Sequence, residues 1–184
     1  PEDLEALKRL TASADVFIQN FRPGVADRLG LGYDALSALN PGLVHMSIAG
    51  FGFDGPLAKK PVYDPLIQAV SALATVQAGS DEARPRLVRT ILPVKLTAVQ
   101  ASQAITAALF ARERTGRGQR ITLSMLDTVA AFLWASDMNG HTFVGDEMET
   151  EESQSFSDLI YDVRGGYLSI SIMQDKHWEA LAKA

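Results

Sequence analysis

The chain has 184 residues, 47% hydrophobic and 21% charged, a globular composition that excludes a disordered or fibrous polypeptide. It contains no cysteine, which rules out a disulfide framework and a thiolate zinc site, and no apolar run reaches the ~18 residues needed to span a membrane. The formal charge of −5 is uneven: residues 1–142 hold 14 Lys and Arg against 13 Asp and Glu, whereas residues 143–184 hold 3 against 9.

The relatively basic first part suits an anionic ligand. Basic residues do not alternate with aromatics anywhere, so a nucleic-acid partner is not expected. No membrane association is expected either, and with nothing resembling a signal peptide at the start, a cytoplasmic protein is the default. The chain opens on Pro1 rather than Met and stops at Ala184 inside a helical pattern, which reads as a piece of a longer polypeptide.

In chain order, Glu2 to Ser13 reads as a helix, with acids in its first turn and Leu4, Ala6, Leu7 and Leu10 on one stripe. Asp15 to Gln19 is a short buried strand that opens into Asn20-Phe21-Arg22-Pro23-Gly24. A helical turn from Val25 to Leu29 closes at Gly30, a helix follows over Tyr33 to Leu39, and Leu43 to Ile48 is the next strand. Helix and strand thus alternate, which indicates a parallel α/β sheet. Ala49 to Val62 is a long loop punctuated by glycine and proline, and such loops are more often functional than idle. Asp64 to about Val76 returns to helix, and Leu87 to Ile91 is extended.

Pro93 then fits the first turn of a helix, where its missing N–H costs nothing. Neither acid nor base occurs between Lys95 and Arg112, so this helix should be buried, with neighbouring backbones close on several sides. Gly116 supplies its stop, after Arg112 and Arg114 in the last turn. Gln119 to Leu123 alternates as a strand, and Ser124 caps a helix that runs to about Asp137, with Asp127 at the capping-box position. Gly145 to Asp158 carries six acids and no base, a solvated connector. Leu159–Val163 and Gly166–Ile172 flank Arg164-Gly165 as a hairpin, and Asp175 begins a last helix containing Trp178.

Three stretches carry candidate chemistry. Asn20 to Gly24 follows the carboxyl end of a strand, where open α/β sheets place their ligands. Arg22 and Arg28 there have two readings: a hold on phosphate oxygens, helped by free N–H groups of the new helix, or ordinary surface arginines. Asp64 reads as an N-cap with Pro65 at the first helical position, which leaves room for a second role. The histidines at 45, 141 and 177 fit no metal spacing and read as structural or surface residues.

The motif N-F-R-P-G at Asn20–Gly24, followed by Gly30-Leu31-Gly32-Tyr33, resembles the class III CoA-transferase family. So do Gly50-Phe51-Gly52 with Asp54-Gly55-Pro56 and Tyr63-Asp64, and the run from Ala107-Ala108-Leu109 through Thr115-Gly116-Arg117-Gly118-Gln119. The likeness covers nearly the whole chain and weakens after Gly145. It implies an α/β fold: a parallel, Rossmann-like CoA-binding domain over residues 1–142, an acidic linker over 143–158, and part of a smaller α+β domain from 159 to 184. It implies coenzyme A or acyl-CoA and a carboxylic acid as substrates, no metal, and an interlocked homodimer. Carried over position by position, Asn20, Phe21, Arg22, Val25 and Arg28 line the CoA site, and Asp64 is an auxiliary residue near the thioester.

The same register places Val94 where the family has its nucleophilic Asp. Valine offers no oxygen to attack a thioester. A slip of register does not restore the role, because no Asp or Glu lies between Arg84 and Arg112. Either the nucleophile has been replaced, leaving a disabled transferase, or the chain uses a different step. A non-catalytic CoA-binding or acyl-CoA-binding protein is the alternative. A racemase comes third: related racemases have His immediately before the position of Asp64, and here that residue is Tyr63, whose phenol is a poor base at neutral pH.

Overall fold

The computed structural model describes residues 2–79, 82–138, 159–172 and 174–183. In order these form α1 (Glu2–Thr11), β1 (Val16–Gln19), α2 (Val25–Arg28), α3 (Tyr33–Leu39), β2 (Val44–Ala49), α4 (Asp64–Val70), α5 (Leu73–Val76) and α6 (Leu92–Thr115). Then come β3 (Arg120–Ser124), α7 (Met125–Asp137), β4 (Ile160–Val163), β5 (Gly166–Ser169) and α8 (Asp175–Lys183). Strands β1, β2 and β3 make a parallel sheet with β2 in the middle, so the α/β class expected from the alternating pattern is the one observed. Strands β4 and β5 pair as an antiparallel hairpin across Arg164-Gly165, where Gly165 adopts φ 90°. The acidic stretch from Gly145 to Asp158 and His141 lie outside the described residues. Among the described residues no helix is long and apolar enough to cross a membrane.

Strand β2 is covered on both faces, and Val44, His45, Met46 and Ser47 are all buried, as a central parallel strand requires. One apolar cluster joins Ala26, Leu31, Leu36 and Leu43, with Leu4, Leu7 and Phe17 packed onto it. A second joins Ile67, Leu73, Val129 and Leu133, with Leu92 and Leu96 at its edge. Strand β1 starts one residue later than expected and is only partly buried, with Ile18 56% exposed; it is one of the two outer strands of the sheet.

The helix expected from Asp64 to Val76 is two helices. Ala72 sits in the left-handed region at φ 66°, which ends α4 and redirects the chain so that Leu73 and Ala74 enter the core. Residues 87–91 form no strand. Their backbone is tied to a side chain instead, since Val88 N–H donates to Gln68 Oε1 at 2.8 Å.

Helix α6 departs furthest from expectation. Its buried residues are Pro93, Thr97, Ala101 and Ala108, one stripe at helical spacing that meets β2, β3, α4 and α7. The opposite face is open: Val99 is 68% and Phe110 61% exposed. Small, uncharged residues permit close packing on every side, but the described residues supply neighbours on one side alone.

At the far end of β3, Ser124 Oγ accepts the Asp127 N–H at 3.2 Å and caps α7 as its sequence indicated. Replacing Ser124 with Ala should lower stability by about 1 kcal/mol. An unchanged urea midpoint would show that the cap contributes nothing.

Candidate functional site

The three parallel strands end side by side, and the segments that leave them build one cavity. After β1 the turn is shaped by Gln19, whose Nε2 donates to Ser47 Oγ on β2 while its Oε1 accepts the Phe21 N–H, both at 2.8 Å. Gly24, at φ 79°, completes the bend into α2. Beyond β2, Gly50 C=O accepts the Leu126 N–H at 3.0 Å, which ties the strand exit to α7. A Cβ on Gly50 would collide with the Val62 side chain, so the missing side chain lets the 50–63 loop fold back over the strand ends. These segments, the start of α6 and Met125 enclose a cavity of about 460 Å³, within the ordinary range for small-molecule sites.

Of the residues singled out from sequence, Asn20, Phe21, Arg22, Asp64 and Val94 all line this cavity. Val25 and Arg28 do not. The α2 element is a single turn, too short to offer a helix terminus to a phosphate, and the Arg28 guanidinium lies over Gly24, within 3.4 Å of where a Cβ would stand. Arg22 and Lys60 are exposed at the cavity wall, so both cations there remain accessible to an anion.

Asp64 is not the N-cap of its own helix. Tyr63 holds that position without a side-chain cap bond, and Asp64 is the first residue of α4, with Pro65 second. Its buried carboxylate turns toward α6 instead: Oδ2 accepts the Val94 N–H at 3.1 Å and Oδ1 accepts from Gln68 Nε2 at 2.7 Å. The first turn of α6 therefore has few free donors. Leu92 N–H goes to Thr90 C=O, Pro93 has none, Val94 N–H goes to Asp64, and Lys95 N–H goes to Ile91 C=O. None of the N–H groups of residues 92–95 is left to stabilise a charge at position 94, because Asp64 already accepts the one at that residue.

Val94 is 42% exposed and faces a cavity that also contains the Asp64 carboxylate, so a ligand atom can approach its side chain. Tyr63, largely exposed, lines the same cavity. Lys60, Gln19 and Gln68 were not picked out as site residues from sequence. For Gln19 the available signal was a polar residue closing an otherwise apolar strand; for Gln68 there was none. His45 has the structural role expected of it. It is buried, its Nε2 lies 3.1 Å from Leu31 C=O, and its ring stacks on Phe17 at 5.2 Å. Among the described residues no group of three His, Cys, Asp or Glu is placed to hold a metal ion.

The profile of CoA-transferase family III matches residues 1–184. The chain is 44% identical over 124 residues to acetyl-CoA:oxalate CoA-transferase of Acetobacter aceti, a match covering 67% of this chain and 32% of that protein. It is 31% identical over a 191-residue alignment to succinyl-CoA:mesaconate CoA-transferase of Haloarcula marismortui, covering all of this chain and 48% of the relative. A crystal structure of a CaiB/BaiF family protein from Brucella suis superposes with a TM-score of 0.83 at 31% identity, over 99% of this chain and 48% of that one. The chain spans about half or less of the length of the proteins it matches.

Proposed function

Because this chain belongs to CoA-transferase family III, we propose that its cavity is the CoA thioester site of an acyl-CoA:carboxylate CoA-transferase. The observation that carries the reading is the convergence of Asn20, Phe21 and Arg22 with the first turn of α6, where Val94 stands, on one cavity at the carboxyl ends of the strands. In this reading a carboxylate at position 94 attacks the thioester carbonyl, and the CoA thiolate leaves to give a mixed anhydride. The thiolate then attacks the aspartyl carbonyl, releasing the first acid and leaving a CoA thioester on the protein. The second acid's carboxylate attacks that thioester, CoA returns to the new acyl anhydride, and the nucleophile is regenerated. Val94 supplies no attacking oxygen, so the present chain binds CoA and does not transfer it.

The two relatives named above act, by their names, on oxalate and mesaconate, and both are dicarboxylates. We carry that class over as the acid, with Arg22 and Lys60 as the cations nearest the cavity. The reading also comprises a CoA-binding domain over residues 1–142, a linker over 143–158, the beginning of a smaller domain at 159–184, a cytoplasmic location, and an interlocked homodimer. The open face of α6 around Val99 and Phe110 supports a covering partner.

A non-catalytic acyl-CoA-binding protein is the second reading, favoured by valine standing in place of a carboxylate at position 94. Both require CoA to bind. Replacing Arg22 with Ala should weaken CoA by about 1.5–3 kcal/mol, the range of a charge-assisted contact. Calorimetry that returns an unchanged affinity removes Arg22 from the site.

A further inference from the structure

Gln68 is 2% exposed and lies one helical turn from Asp64 on α4, with both ends of its carboxamide engaged. Its Oε1 accepts the Val88 N–H at 2.8 Å. Its Nε2 donates to Asp64 Oδ1 at 2.7 Å and to Thr90 C=O at 3.1 Å, and lies 3.4 Å from Val88 C=O. A flipped amide would set donor against donor at Val88, so the network allows one orientation. Through Asp64 the chain of bonds reaches the Val94 N–H. One buried side chain thus grips the segment leading into α6 and, by relay, the first turn of α6 itself.

The consequence for position 94 is geometric. Ile91, at the N-cap, has no side chain that can bond the helix, and Pro93 has no N–H. The Val94 amide is consequently held from outside by the Gln68–Asp64 pair, and its Cα–Cβ direction into the cavity follows from that hold. We propose that Gln68 is a positioning residue for the side chain at position 94, acting through Asp64 without touching substrate. The proposal rests on the reading of position 94 as the nucleophile slot.

Two measurements test it. In the unmodified protein, amide hydrogen exchange should show Val88 and Val94 opening together, with one common protection factor, because a single network holds both. Separate opening of Val94, faster than Val88, overturns the clamp without any substitution. In a Val94→Asp background, Gln68→Met should slow adduct formation at residue 94 with acetyl-CoA on the order of 10²-fold, while CoA affinity stays within about twofold. The loss then falls on turnover and not on binding, which a general loss of structure would not produce. An unchanged adduct rate, or equal losses in rate and affinity, overturns the proposal. If Val94→Asp with Gln68 intact gives no adduct at all, the transferase reading fails, whereas the exchange result still decides the clamp.

Discussion

The Val94→Asp protein is expected to form a covalent adduct at residue 94 with acyl-CoA thioesters and to turn them over at least ~10³-fold faster than the parent. The size follows from covalent catalysis, where removing the nucleophile costs on the order of 10⁶ in turnover, so restoring one should recover a large part of it. Val and Asp are close in volume, and the site is 42% exposed, so a carboxylate there keeps part of its hydration. The helix start offers it little else, since Asp64 holds the Val94 amide and brings a second carboxylate into the same cavity. Like charges in one cavity disfavour each other, so a modest fall in melting temperature should accompany the gain in chemistry. Mass spectrometry after incubation with a panel of acyl-CoAs reads the adduct directly. A variant that folds, binds CoA and yields no adduct with any of them leaves the binding-protein reading in place of the transferase.

The parts of this site that were legible in sequence are those written in consecutive residues. Asn20 to Gly24 sits at a strand exit, and a strand exit in a parallel sheet is where ligands bind whatever the family. Ser124 with Asp127 three residues on is a local cap, and it formed as read. What was missed is tertiary. The carboxylate of Asp64 could cap its own helix or another, and only the fold brings Val94, thirty residues on, within 3.1 Å of it. The tie between Gln68 and Val88 spans twenty residues of chain and has no local pattern. Helix α6 shows a different limit: its composition reports how many faces can be packed, while the number that are packed depends on what surrounds it. The break at Ala72 was hidden because alanine, a strong helix former, is the residue that adopts the left-handed conformation.

Gly118→Ala is expected to be the most destabilising single methyl that can be added to the Gly116-Arg117-Gly118 run, at about 3 kcal/mol, the upper part of the overpacking range. Backbone dihedral strain is not the reason, for the positive-φ glycine of this run is Gly116, at φ 70°. Room is the reason. A Cβ on Gly118 would fall on the Leu43 carbonyl and the Gly42 carbonyl carbon, both main-chain atoms that no rotamer change can move aside. The contact is also held shut, since Gly118 N–H donates to Pro41 C=O at 2.9 Å and His45 N–H donates to Gln119 C=O at 2.9 Å. Admitting the methyl means lifting the start of β3 from β2 and giving up part of the ladder that begins at His45 and Arg120. Domains of this size are stable by only about 5–15 kcal/mol, and a loss of ~3 should lower the melting temperature by roughly 6–12 °C. Gly116 is the internal control: nothing lies within 4 Å of a Cβ built there, so Ala costs only the left-handed strain, roughly 1–2 kcal/mol. Thermal melts that rank Gly116→Ala as the more damaging of the two would show that close approach to β2 is not what requires glycine at 118.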